Sequence, residues 1–104
     1  MEYDVVLSLR AQTHFREIIN YLVYELQNQQ AATSVADDFD DTVACLSHMV
    51  GSLKLCDDSV LRARGYRTIH FRKHKYLMVY TIDGDRAYVE GIYHDLQDYE
   101  NILR

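Results

Sequence analysis

Proline and tryptophan are absent from this chain, and glycine occurs only four times. So little proline and glycine excludes a loop-built or Pro-rich recognition scaffold. Cysteine is scarce as well. Cys45 and Cys56 are the only two, too few and too isolated for a metal cage. Cys45 reads as a small core residue on a helix, and Cys56 as a free loop thiol in a reducing compartment. No apolar run approaches the ~20 residues that a membrane helix needs. The start, Met-Glu-Tyr-Asp, lacks the basic and apolar regions of a signal peptide, so a cytoplasmic protein with no membrane partner is expected. No CxxC, HExxH, GxGxxG, GxSxG or phosphate-loop pattern occurs. Among the histidines only His70 and His74 have ligand-like spacing, and they straddle a strand-to-turn boundary. No metal and no cofactor are therefore expected.

What remains is a chain of 104 residues with 48% apolar and 26% charged residues. That is a globular composition, and the length predicts one domain over residues 1–104. The net charge of −5 argues against generic adhesion to nucleic acid. It hides an asymmetry. Arg62, Arg64, Arg67, Arg72, Lys73 and Lys75 fall in the stretch 60–75, which holds no acid. Such a block is a candidate docking surface for phosphate or an acidic partner. It reads equally as a solvated strand edge, where basic side chains suppress edge-to-edge aggregation.

Residues 3–7 read as a short strand, and Ser8 as the N-cap of a helix. Ala11, Phe15, Ile18, Ile19, Leu22, Val23 and Leu26 recur at helical spacing, which predicts an amphipathic helix over about 9–28. Asn28 can end that helix or cap the next. Val35, Phe39, Val43, Leu46 and Val50 form a second stripe, which Gly51 stops. Asp37, Asp38, Asp40 and Asp41 read as a solvated face of this second helix. The short link makes the two helices an antiparallel hairpin. Residues 52–64 read as a long irregular loop. After Gly65 the period falls from 3.6 to 2: residues 66–71, 76–82 and 86–93 predict a three-stranded meander with the middle strand central. Asp83-Gly84 is its hairpin turn. Leu96, Tyr99, Ile102 and Leu103 predict a short closing helix. The first strand must join the sheet to satisfy its backbone. The expected fold is a two-layer α+β domain, β-α-α-β-β-β with a short C-terminal helix. Its helix hairpin packs on one face of a mostly antiparallel sheet of about four strands, leaving the other face open. Phe15, Ile19, Leu22, Leu26, Phe39, Val43, Leu46, Ile69, Val79 and Val89 are the expected core.

In this order and spacing the chain resembles the RelE/ParE superfamily of bacterial toxins from type II toxin–antitoxin modules. The resemblance rests on the helix link with Ala31-Ala32, the strand Gly65-Tyr66-Arg67-Thr68-Ile69, and Tyr76 and Tyr80 before an Asp-Gly turn. Its most specific part is the ending Ile92-Tyr93-His94-Asp95-Leu96-Gln97-Asp98-Tyr99. The resemblance implies a growth-arresting toxin, of the kind that serves plasmid stabilisation, whose first partner is a cognate antitoxin. RelE-like members cut messenger RNA on the ribosome, and ParE-like members inhibit DNA gyrase by binding it.

Cleavage at a 2′-hydroxyl needs a base, cations for the phosphate and an acid for the leaving oxygen. His94 matches a histidine that some RelE-like nucleases use. As the catalytic set, Arg67 and Lys75 would hold the phosphate where the end of the last strand meets the basic strand, and Tyr93 would stack on or orient a base. The other reading of His94 is a strand-end residue bonded to the tail. Two departures oppose cleavage: Leu77 stands where the family commonly has Arg, and Asp95 where one nuclease branch has Tyr. ParE-like inhibition of gyrase is therefore slightly favoured. A ribosome-dependent endoribonuclease is the alternative, and a non-toxic α+β interaction module the third reading. Arg62, Arg64, Arg67, Arg72 and Lys73 are expected to contact the target, or the acidic tail of the antitoxin.

Overall fold

The computed structural model describes residues 2–49 and 55–103. Strand β1 (Asp4–Leu7) runs directly into helix α1 (Leu9–Asn20). Ser8 makes the junction: its hydroxyl accepts from the Ala11 N–H at 3.0 Å and donates to the Glu90 carbonyl at 2.9 Å. One side chain thus caps the helix and ties it to the sheet.

Helix α1 does not continue as an α-helix to residue 28. It passes into a π turn, Tyr21–Glu25, in which the Leu26 N–H bonds back to the Tyr21 carbonyl at 3.0 Å. The wider turn takes up an extra residue and rotates the residues beyond it about the helix axis. Leu26, expected in the core, is consequently 53% exposed. Gln27 then reverses the chain with φ of 48°. Asn28 takes the capping role: its Oδ1 accepts from the Ala31 N–H at 3.0 Å at the start of α2 (Gln29–Met49). Gly51, expected to stop α2, lies outside the described residues.

The sheet comprises β1, β2 (Arg67–His70), β3 (Tyr76–Asp83) and β4 (Arg86–His94), in the order β1-β4-β3-β2. β1 joins it parallel to β4, from Asp4 opposite Arg86 to Leu7 opposite Val89. The other pairings are antiparallel. β3 is central, and Leu77 to Tyr80 are buried, as the apolar run predicted. Gly84, at φ of 61°, supplies the left-handed residue of the tight turn into β4.

The hairpin of α1 and α2 covers one face. Leu22, Val35 and Leu46 pack there on Ile69, Met78 and Val89. A fully buried leucine or valine of this kind contributes roughly 1.5–3 kcal/mol. Phe15, Ile19, Phe39 and Val43 are only half-buried against this cluster, and Val79 faces the opposite side.

That opposite face is not left open, a correction to the expectation. Cys56, Leu61, Tyr66, Tyr99 and Leu103 pack there on Leu77, Val79 and Tyr93. The described part of the expected irregular loop is ordered by its own polar groups. Asp58 Oδ1 accepts from the Val60 and Leu61 N–H groups at 3.0 and 3.1 Å, starting the short helix α3 (Ser59–Ala63). Leu55 bridges to Arg67, and the Cys56 N–H bonds the Tyr66 carbonyl at 2.9 Å, so this segment also lies along the edge of β2. The closing helix α4 (Tyr99–Leu103) forms as predicted. The five residues of α3 are too few to show a periodic stripe, which is why the sequence pattern read that segment as a loop. Among the described residues, no helix is long and apolar enough to cross a membrane.

Candidate functional site

His94 ends β4, opposite Tyr76 at the start of β3, and the two rings meet edge to face at 5.4 Å. The tail folds back on it. The His94 N–H donates to Gln97 Oε1 at 2.8 Å, and the Gln97 N–H to the His94 carbonyl at 2.9 Å. The Leu96 N–H donates to His94 Nδ1 at 3.2 Å, and Asp95 Oδ1 lies 3.2 Å from the same nitrogen. A backbone N–H can only donate, so the neutral ring carries its proton on Nε2. In that tautomer Nε2–H can donate a hydrogen bond but has no free lone pair with which to act as a base.

A pocket of about 330 Å³ opens beside His94, lined among others by His14, Glu17, Tyr21, Tyr76 and Gln97. His14 reaches it from α1, and its Nδ1 accepts the Ile92 N–H at 3.2 Å where β4 has outrun β1. Burial lowers the His14 pKa, with Glu17 opposing. Burial also raises the Tyr76 hydroxyl pKa, and the nearby Tyr21 hydroxyl adds to the rise. The lining contains the carboxylate of Glu17 and no lysine or arginine. A dianionic transition state would find donors in this lining but no lysine or arginine.

The structure scatters the residues expected to act with His94. Arg67 stands opposite Tyr80, four residues along β3 from Tyr76 and one strand further over. Strand geometry puts it roughly 16 Å from His94. The basic strand and the end of the last strand do not meet at Arg67, because the antiparallel register brings His70 rather than Arg67 toward the His94 end of β3 and sets Arg67 against Tyr80 in mid-strand. Arg67 instead neighbours Tyr80, whose hydroxyl burial pushes up to about 12 while the guanidinium opposes the rise. Lys75 does lie beside the site, its carbonyl accepting the Asp95 N–H at 2.9 Å. Tyr93 is 2% exposed and presents no face to a base. Its ring folds over Gly91, packs near Tyr99 at 6.0 Å, and burial raises its hydroxyl pKa. That hydroxyl has no hydrogen bond of ordinary geometry, although the Arg10 guanidinium is near enough to oppose the rise.

The basic stretch divides in two. Arg62 donates from Nε to the Cys56 carbonyl at 3.0 Å and from Nη2 to the Asp57 carbonyl at 2.8 Å. Arg64 donates to the Leu103 carbonyl at 2.9 Å. Both guanidiniums hold the second layer together. Arg72, Lys73 and Lys75 are exposed on the turn between β2 and β3. Asp38 anchors that turn, which the solvated reading of its acidic run missed. It is 2% exposed and accepts the Arg72 and Lys73 N–H groups at 3.1 and 2.9 Å and His74 Nδ1 at 2.7 Å. Burial alone would raise its pKa; the His74 bond and the two backbone donors outweigh burial and hold it below the ordinary value. His74 is thus engaged by Asp38, and His70 is exposed on β2. Among the described residues, no cluster of three or more His, Cys, Asp or Glu could hold a metal.

A larger concavity than the pocket at His94 lies elsewhere. A groove of about 760 Å³ runs between the free edge of β1 and α1, lined by Val5, Leu7, Phe15, Ile19, Asn20 and Phe39 among others. Sequence periodicity placed Phe15, Ile19 and Phe39 in the core. Their half-burial is what forms the groove floor.

The sequence matches the family model of the ParE toxin of type II toxin–antitoxin systems, parDE, over residues 5–99. The chain belongs to the ParE toxin family. The toxin is similar in fold to a chain of the chromosomal ParDE toxin–antitoxin system from P. aeruginosa, with a TM-score of 0.73 and 14% identity over 89% of this chain and 96% of that one. It is also similar to a chain of the toxin–antitoxin complex RelBE2 from Mycobacterium tuberculosis, with a TM-score of 0.57 and 16% identity over 90% and 99%. No curated protein matches the sequence. The toxin is therefore one component of a type II toxin–antitoxin system, with an antitoxin as its partner.

Proposed function

We propose that this toxin arrests growth by binding and inhibiting DNA gyrase in the cytoplasm, without cutting RNA. One observation carries the reading: the lining of the pocket at His94 includes a carboxylate and no lysine or arginine, while Arg67 stands opposite Tyr80 in the middle of β3. An RNA-cleaving site needs positive charge around the scissile phosphate. The match to the ParE family, whose resemblance implies gyrase inhibition, supports the same reading.

The antitoxin, in this proposal, adds an extended segment along the free edge of β1 and fills the groove against Phe15 and Ile19. An acidic part of it reaches Arg72, Lys73 and Lys75, the exposed half of the basic stretch.

The deciding experiment induces the toxin alone in bacteria, as wild type and as His94→Ala. Message ends and plasmid supercoiling are followed together. The expected result is disturbed DNA topology, intact messages and growth arrest by both forms. Message cleavage that vanishes with His94→Ala would establish the nuclease instead.

A further inference from the structure

Two tyrosines at the tip of the helix hairpin are largely exposed. Tyr21 is 54% and Tyr24 73% exposed. Both sit in the π turn, where the Tyr21 carbonyl bonds the Leu26 N–H rather than that of Glu25. Spacing of three and four residues puts Glu17, Asn20, Tyr21, Tyr24 and Glu25 on one stripe. Together they line a cleft of about 340 Å³.

The chemistry of this cleft is that of a cation receptor. Aromatic faces attract a guanidinium through the ring quadrupole. Carboxylates take its N–H groups, two at a time when the geometry allows. Neither Glu17 nor Glu25 pairs with a cation among the described residues. The surroundings add a field of the same sense. From Glu17 to Leu53 the chain contains six acidic residues and no lysine or arginine. An arginine fits better than a lysine, since its flat fork can stack on a ring and bond a carboxylate at once.

We infer that the cleft receives an arginine side chain from the toxin's protein target. This rests on the reading of the toxin as one that acts by binding a protein. An acidic antitoxin segment is repelled from this surface and drawn to Arg72–Lys75 instead, so the two partners meet different sides of the charge asymmetry. Such a cleft supplies an anchor for the target, and the opposite charges speed the encounter.

The test uses the purified toxin and two small probes: acetyl-glycyl-arginyl-glycinamide and its citrulline counterpart, which is isosteric and neutral. Ring signals of Tyr21 and Tyr24 are followed by NMR. The arginine peptide should shift both rings at millimolar concentration, and the citrulline peptide should not. Tyr24→Ala should weaken the arginine response about two- to fivefold, the worth of one exposed cation–π contact. Equal response to both peptides, or no change in Tyr24→Ala, overturns the inference. A second arm measures binding to purified gyrase by wild type and by the double variant Tyr24→Ala, Glu25→Gln. About tenfold weaker binding by the variant, with an unchanged melting temperature, places the cleft in the target interface. Wild type that ignores gyrase but still selects the arginine peptide refutes the gyrase assignment and leaves the cleft chemistry standing. Gyrase binding that the double variant leaves intact removes the cleft from that interface.

Discussion

Asp38→Ala removes the carboxylate that holds the turn between β2 and β3 against α2. The side chain is 2% exposed and accepts three hydrogen bonds, from the Arg72 and Lys73 backbone and from His74. Hydrogen bonds to a charged group contribute about 1.5–3 kcal/mol each. They do not add, because the freed turn can take up water on its outer side. The expected loss is about 3–5 kcal/mol, the range for removing one partner of a buried ionic network. A domain of this size holds only about 5–15 kcal/mol in all. The urea midpoint should fall by about a fifth or more with the slope unchanged. Asp38→Asn should lose about half as much, because one oxygen still accepts while the amide sets a donor against a donor.

The pH dependence gives an independent check. Asp38 has a folded-state pKa below its unfolded value. Its contribution is therefore full above the unfolded value of about 3.9, and is lost as the pH falls through the folded one. Wild type should lose stability in that acid window, and Asp38→Ala should lose less there. A loss under about 1 kcal/mol for Asp38→Ala, with an unchanged acid limb, would refute the anchoring role.

Gly91→Ala should destabilise the fold by about 1–3 kcal/mol in thermal melts, because a Cβ there lies 2.7 Å from the Tyr93 ring that is folded over it. Tyr93→Phe should leave stability nearly unchanged, since among the described residues the buried hydroxyl makes no hydrogen bond of ordinary geometry, with only the Arg10 guanidinium near it. Arg64→Ala should free α4, read as faster amide exchange across Tyr99–Leu103. Replacing Arg72, Lys73 and Lys75 by Ala should slow antitoxin association and flatten its salt dependence, while Arg62→Ala should change neither in stopped-flow measurements.

The helices, the meander and the Asp-Gly turn were legible because each obeys a single period over many residues. β3 is the clearest case: seven nearly all apolar residues can only be a strand paired on both sides. The π turn was not legible. One extra residue breaks the helical stripe after Val23, and nothing in Tyr21–Glu25 announces it. Asp38 was hidden for a related reason. Four aspartates within five residues look alike in sequence, and only the position of the turn at 72–74 makes one of them a buried acceptor. The site residues suffered most. Arg67 and Lys75 look close along the chain and both precede the central strand or enter it. The antiparallel register puts Arg67 at the open end of the β2–β3 hairpin, opposite Tyr80, and Lys75 at its turn. Charge alone also could not separate Arg62 and Arg64, bound to carbonyls, from Arg72 and Lys73, which face solvent.

The parallel pairing of β1 with β4 has a consequence for the timing of synthesis. The two ends of the Ser8–Glu90 bond are 82 residues apart, and within the sheet β1 has no neighbour but β4. A growing chain can wind its helix hairpin early, since that contact is local. It cannot seat its first strand until the last strand has left the ribosome. The groove between β1 and α1 is absent until then, so an antitoxin that reads this groove captures chains whose β4 has already emerged. The interval in which a cell holds folded but uncaptured toxin thus begins only once β4 is free to pair. Its length depends on how much antitoxin is already waiting.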